Sequence, residues 1–457
     1  MVYRSAFLFL FVLMTIGLSA CYKPSDQETD DNDASTGTDG DSDGDSDGDA
    51  DGDTDACPNG EYEGDYYLEG GDSLEGLFGY TSMTGSLELE EYWLGNFEGL
   101  EGLSKIGGDL IIPYSYVLLN LRGLDGLREV GGDLKIGYGG VQEENPINSL
   151  AGLDNLERVG GDLIILGCPN IESFQNLGRL KHIGGELQLN GLNATDLCGF
   201  EQVEFIGEDV YIHLDEIVDL RCFPNISRIN GALHLIRNSS LENLDGLKNI
   251  TEIEEDLMVR WNENLTSIDG LQNLVKVSGE VIISGSSALN NLDGLSGIQS
   301  IGTDLTIFQN KIVDLNGLGK LTAIGGELHL EANNELTDMS GLSGLTSIGG
   351  NIIFCGNRLI TNLDDLKNLT YIGGSLQIPG SRLERINLEN LGEIGKSIWV
   401  SENHVLTEIA FKNLKTFNGR LDISYNITLP NCKAKAIEQQ LIEAGWSGES
   451  KIVGNLD

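Results

Sequence analysis

Histidine, cysteine and carboxylate side chains are the groups in this sequence able to ligate a metal, attack a substrate or move a proton, and their spacing favours none of these chemistries. His213 and His234 fall on or beside strand positions of neighbouring repeats, yet no third ligand accompanies them, and metal sites usually hold three or four. His329 stands alone in the same way. There is no nucleophile elbow, no His-Glu-x-x-His pair, no Cys-x-x-Cys cluster and no phosphate-cradling glycine loop. No catalytic residue, metal site or cofactor is expected. Beyond the first cysteine the chain carries Cys57, Cys168, Cys198, Cys222, Cys355 and Cys432. Cys198 and Cys222 stand 24 residues apart at nearly matching corners of a repeat, so they are the one pair expected to bond as a disulfide. Cys57 and Cys432 fall at opposite ends and do not meet.

The repeat that positions these groups is typified by Ile324-Gly325-Gly326-Glu327-Leu328-His329-Leu330 and returns about every 24 residues, with one longer interval of 29 between Val130 and Val159. Its first residue recurs fifteen times, from Met83 to Phe417. A fixed period of this length signals a solenoid. In the copy opening at Ile253, Leu257 and Val259 alternate about Met258 as in a strand, while Leu265, Ile268, Leu271 and Leu274 follow at threefold spacing suited to bends. One coil cannot bury these side chains alone, so neighbours must stack and share a core. The glycine pair before the strand reads as freedom for unusual backbone angles, and Leu-Asp-Gly-Leu as a second tight corner. The expected fold is mainly β, a parallel solenoid of about fifteen coils, with an extra loop near residues 139–146.

Three files of residues follow from this stacking. Nine places after the marker stand Asn238, Asn262, Asn310, Asn333, Asn357, Asn403 and Asn426, expected to satisfy turn backbone groups from coil to coil; a glycan-binding row is the alternative. The outward strand position reads Glu88, Ile111, Lys135, Ile164, Gln188, Tyr211, His234, Met258, Ile282, Thr306, His329, Ile353, Gln377, Trp399 and Asp422. So many apolar and aromatic groups on a solvent face point to a partner surface with Tyr211, His234, Met258, His329 and Trp399 as its candidates, against β-favouring residues tolerated there or covered by other chain. Two places earlier runs a carboxylate file that includes Asp109, Asp133, Asp162, Asp209, Asp256 and Asp304. It is hydrated, amide-bound or balanced by cations.

The chain divides into residues 1–20, 21–56, 57–430 and 431–457. The first stretch has Arg4, an apolar run over residues 6–18 and small residues after it, the pattern of a secretory signal. Leu18-Ser19-Ala20-Cys21 resembles the lipobox of bacterial lipoproteins. That resemblance implies a lipid on Cys21 and attachment to a membrane through acyl chains, and Tyr22 in place of aspartate favours the outer membrane where a cell has two. Residues 26–55 hold 14 acidic side chains and no basic one, a disordered, self-repelling tether; a calcium loop is disfavoured because the twelfth-position glutamate is missing. Residues 62–68 read as a degenerate first copy capping one edge. At the other end, residues 433–444 read as a helix with Ile437, Leu441 and Ile442 on one side, ended by Gly445 and followed by a last strand near Lys451.

Repeats of the form Leu-x-x-Leu-x-x-Ile-Gly-Gly-Asp/Glu-Leu-x-Ile resemble the receptor L domain, the leucine-rich right-handed solenoid of insulin- and growth-factor-type receptors, over about residues 60–430. The resemblance implies a solenoid fold and a ligand-binding role. Here the run is longer than a single L domain and the cysteine-rich modules are absent. With 72 acidic and 28 basic side chains and a net charge of −44, the surface repels phosphate backbones, so nucleic acid is not a partner. The expectation is a non-enzymatic, lipid-anchored surface protein of the bacterial envelope, a recognition or adhesion rod for an unidentified protein or glycan. A polysaccharide lyase or hydrolase, or a purely structural envelope protein, is the alternative. The Cys21→Ser variant is expected to be released from membranes, measured by fractionation; a variant that stays membrane-bound with residues 1–20 uncleaved overturns the lipobox reading.

Overall fold

A computed structural model of the chain describes residues 60–69, 73–89, 93–137, 145–223 and 226–457. The signal, the tether, Cys21, Cys57 and most of the 29-residue interval's extra loop lie outside the described residues.

In the coil after Ile253 the long strand Leu257–Arg260 buries Leu257 and Val259 and turns Met258 and Arg260 outward. A turn follows, then buried Leu265 and Ile268, the 3-10 turn Asp269–Leu271, buried Leu274 and the short strand Lys276–Val277. The next long strand, Val281–Ser284, lies parallel and in register, with Leu257 opposite Val281. Repetition builds one seventeen-stranded parallel sheet from Tyr66–Leu68 to Ser450–Lys451. It is an open sheet, since those two end strands each pair on one side only. A single core of apolar side chains runs inside from Leu68 to Trp446. Each leucine fully buried contributes about 1.5–3 kcal/mol, but only when the next coil covers it.

The second side of each coil is a two-residue strand, and this side is split. Seven short strands pair from Glu61–Tyr62 to Phe205–Ile206, and nine from Arg228–Ile229 to Thr416–Phe417. At the break, Asn230 Nδ2 donates to Ile206 O at 2.9 Å, so a side chain stands where ladder pairing lapses. On the third side, 3-10 turns stack from Asp245–Leu247 to Asp364–Leu366, and beyond them Arg385–Asn387 pairs with Glu408–Ala410.

Residues 62–68 form the edge copy of the repeat that was expected, with Tyr62 paired to Met83 and Tyr66 to Leu87. The reading of the glycine pairs needs correction. The glycine pairs do not supply unusual angles, because none of them has a positive φ among the described residues. They are demanded by proximity. A Cβ on Gly325 would collide with the carbonyl oxygen of Gly302, and one on Gly326 with the carboxylate of Asp304. The carboxylate occupies that space because Asp304 Oδ1 accepts from Glu327 N at 2.5 Å. The same bond joins Asp109 to Asp133 N (2.7 Å), Asp133 to Asp162 N (2.8 Å) and Asp256 to Glu280 N (2.7 Å). Of the three readings of the carboxylate file, amide binding is the one these aspartates display through Oδ1.

The C-terminal helix, Asn431–Glu443, buries Ala434, Ile437 and Leu441. Ile442 is 49% exposed, contrary to expectation, because one residue after Leu441 is rotated about 100° around the axis. Gly445 ends the helix at φ +98°. Trp446 then packs on Phe417 and donates from Nε1 to Gly419 O at 3.0 Å, and Ser450–Lys451 joins the sheet edge.

Close stacking makes one comparison decisive. Gly325→Ala is expected to destabilise the solenoid by about 3 kcal/mol through overpacking, while Gly392→Ala, whose added carbon has Thr370 O at 3.6 Å as its nearest neighbour, stays within about 1 kcal/mol of the parent. Urea unfolding of both variants measures this, and equal stabilities would refute the proximity account.

Candidate functional site: the outer face of the long sheet

The outward strand residues form one unbroken file. Tyr211 lies opposite His234, His234 opposite Met258, Met258 opposite Ile282, and the register runs on through Thr306, His329, Ile353, Gln377 and Trp399 to Asp422. Trp399 is 43% exposed; Tyr211, Met258 and His329 are half-buried, and His234 is buried. A second outward column, two residues later on each strand, includes His213, Ile236, Arg260, Ser284 and Phe308. His213 and His234 thus occupy different columns. His329 Nε2 lies 2.7 Å from Glu331 on its own strand.

The asparagine row is buried and points away from this face. Asn238, Asn262, Asn333, Asn357, Asn403 and Asn426 have no exposed surface, and Asn310 is 4% exposed. Each Oδ1 accepts a backbone N–H from the preceding coil, as Asn333 does from Asn310 N at 3.1 Å, while Nδ2 donates to a strand carbonyl of that same coil, Ile307 O at 2.8 Å. Ser286 and Ser381 interrupt the file but still donate N–H groups to Asn310 and Asn403. A residue that the periodicity missed, Asn455, completes it by accepting from Asn426 N at 3.1 Å and donating to Ile423 O at 2.9 Å. The C-terminal helix separates Asn455 from the repeat count, so only the final Gly-Asn after a strand signal hinted at it.

This ladder fixes the corner beside the outer face. The residues just before the asparagines sit in the left-handed region: Arg237, Trp261, Gln309, Ala332, Glu402 and Tyr425 at φ +54 to +60°, and Gly356 at φ +68°. Left-handed backbone costs a residue with a side chain roughly 1–2 kcal/mol, which the two buried hydrogen bonds of the next amide offset. Strained corners therefore project side chains in a row alongside the sheet. Two of them matter most. The Trp261 indole has Arg260 Cζ 4.3 Å and Arg237 Cζ 5.2 Å from its ring centroid, and its edge lies against Gly285, where a Cβ would collide with it. Arg260 Nε also donates to Ser284 Oγ at 3.2 Å. Tyr211 and His234 meet edge to face at 6.1 Å beside this pair.

Burial dominates the titration of the patch. It lowers His234 below the ordinary histidine value, against the pull of Asp209 and Asp256 and with help from Arg260. It lowers His213, opposed by Asp215 and aided by Arg237, and it raises the Tyr211 phenol. Burial also lowers the Arg260 guanidinium, Glu280 opposing and Arg237 adding to the effect.

Cys198 and Cys222 are disulfide-bonded, with Cα atoms 5.1 Å apart, at the coil where the short-strand sheets separate. Cys168, Cys355 and Cys432 carry free thiols; burial pushes the Cys168 thiol up to about 12 and, with Glu331, the Cys355 thiol up to about 11, so neither is a reactive thiolate. Among the described residues the one group of potential metal-binding side chains drawn together is Asp196 with Cys198 and Cys222, and its sulfurs are consumed by the disulfide. Also among the described residues, no helix is long and apolar enough to cross a membrane.

Fold and surface together define a parallel β-solenoid with an exposed sheet face. The chain matches no model of a known protein family and no curated protein.

Buried His234 and half-buried His213 predict an acid response. Their pKa values are lower folded than unfolded, so the unfolded chain gains protons first as pH falls below 6.5. Stability present above that pH is lost below it. The thermal midpoint of the parent is expected to fall more between pH 7.5 and 5.5 than that of a His213→Gln, His234→Gln variant, as calorimetry would record; parallel declines would remove the histidines from the account.

Proposed function

We propose that this chain is a non-enzymatic recognition protein whose solenoid offers the outer face of its long sheet to a protein or glycan of the cell envelope. The carrying observation is the in-register file from Glu88 to Asp422, rich in apolar and aromatic groups and partly open to solvent along its length. A rigid sheet holds such groups at fixed spacing, which lowers the ordering cost of binding. The likeness of the repeat to receptor L domains adds a ligand-binding precedent for this kind of surface. In the same proposal the lipid on Cys21 tethers the chain to a bacterial membrane, with the acidic segment as spacer.

Retention on envelope and polysaccharide fractions, scored together with new reducing or unsaturated ends, tests this. The purified chain is expected to be retained without generating new ends. Changing Tyr211, Met258 and Trp399 together to Ala is expected to cut retention at least tenfold while the circular-dichroism spectrum persists. Turnover without stable retention would replace recognition by lyase or hydrolase activity.

A further inference from the structure

The arginine pair at Trp261 is distinguished by stacking: among the described residues it is the one place where two guanidinium groups lie over a single ring, whereas standing outside any ion pair is common to several other arginines, such as Arg158 and Arg420. In a chain with 72 acidic and 28 basic side chains, carboxylates are abundant, and Arg128, Arg221, Arg228 and Arg385 each hold one in an ion pair. Arg237 and Arg260 hold none among the described residues; their guanidinium groups rest instead on one indole. Two like charges on a shared ring repel, and burial further disfavours the inner one. Glu280 partly offsets this by favouring the charged form of Arg260, but forms no ion pair with it. Asp209 and Asp256 commit Oδ1 to backbone N–H groups of the next coil, Ala232 and Glu280, at 2.7 Å each. Glu280 is itself raised by burial and by Asp256 and Asp304, and Asp215 acts on His213.

Beside the pair lies a surface of different character. Tyr211, His234 and Met258 occupy consecutive positions of the outward file. His234 is 6% exposed, and its Nε2 has no protein hydrogen-bond partner. A buried polar nitrogen without a partner carries a free-energy cost that a ligand oxygen reaching it offsets.

We infer that Arg237, Arg260 and Trp261, with Tyr211, His234 and Met258 alongside, form a binding site for an acidic saccharide. The guanidinium pair takes the oxyanion, and the neighbouring aromatic and thioether surface takes the C–H face of the sugar ring. Planar guanidinium groups suit a two-oxygen anion, since each presents parallel N–H donors. Their stacking on Trp261, wedged against Gly285, holds them in place before a ligand arrives. An acidic peptide would satisfy the charge but leaves the flat strip beside it without a matching ring. The acidic remainder of the surface repels a polyanion at long range, an effect confined at physiological ionic strength to about 8 Å, so a local site survives it. The inference rests on the outer face being the recognition surface.

Titration of the full chain with polygalacturonate, neutral dextran and poly-glutamate tests it. Polygalacturonate is expected to bind and dextran not to bind, with poly-glutamate at least tenfold weaker than the uronate polymer. Arg237→Gln with Arg260→Gln is expected to weaken polygalacturonate binding at least tenfold. Arg358→Gln, an exposed change of charge elsewhere, is expected to leave it unchanged, and thermal midpoints verify that each variant is folded. No binding to polygalacturonate, equal binding to dextran or poly-glutamate, or an undiminished double variant would each overturn the inference. Envelope retention separates its failure from that of the wider proposal. If the arginine variant is retained while the Tyr211, Met258 and Trp399 variant is not, the outer face keeps its role and the saccharide site falls. If both variants are retained like the parent, both fall.

Discussion

Backbone atoms of one coil occupy the volume in which the next coil's side chains would begin, and most features of this protein descend from that contact. The carbonyl oxygen of Gly302 fills the Cβ position of Gly325, that of Gly325 fills the Cβ position of Gly349, and that of Gly349 the position at Gly373. With strands parallel and in register, chemically identical positions must lie one above another. Any polar group in the interior then meets its own kind, and only groups able to donate and accept at once survive such repetition. Asparagine does so through its amide. Aspartate at the strand entrance does so differently, by accepting from the backbone of the following coil while its own charge stays at the rim.

The solenoid is two dialects of one repeat. From Asn238 onward the corner after the long strand is an asparagine ladder, and 3-10 turns, found earlier at Leu74–Leu77 and Gln175–Leu177, recur in every coil from Asp245–Leu247 to Asp364–Leu366. Before it, the matching interior positions hold buried Cys168, Leu192 and Leu214. The change coincides with the break in the short-strand sheets and with the Cys198–Cys222 bond. A covalent link therefore spans the coil at which hydrogen-bonded continuity on one side is weakest, while the long sheet passes through without interruption.

Much of this was legible because a repeat samples the same physics many times. Fifteen copies reveal the strand, the buried positions and the asparagine row, and the one-coil spacing of Cys198 and Cys222 matches the bond between them. What stayed hidden depends on contacts between coils rather than on order within one. The glycine pairs carry a composition signal equally suited to unusual angles or to missing side chains, and only the neighbouring carbonyl decides between them. Asn455 was displaced from the count by a helix, and Ile442 was misplaced by a single residue of helical phase. The arginine patch escaped because Arg237 and Trp261 occupy the strained corner just before the ladder, where residue type varies freely from copy to copy, whereas the sequence pattern directs the eye to strand positions.

The location of the disulfide also bears on how the molecule yields to force. Each coil is held mainly by the coil before and the coil after, so tension applied between the ends would peel the structure one repeat at a time, each release freeing a similar length of chain. The bond between Cys198 and Cys222 removes one such length from play. Chain between those residues cannot unspool however far the neighbouring coils have peeled, which makes the middle of the solenoid a mechanical stop between two extensible arms.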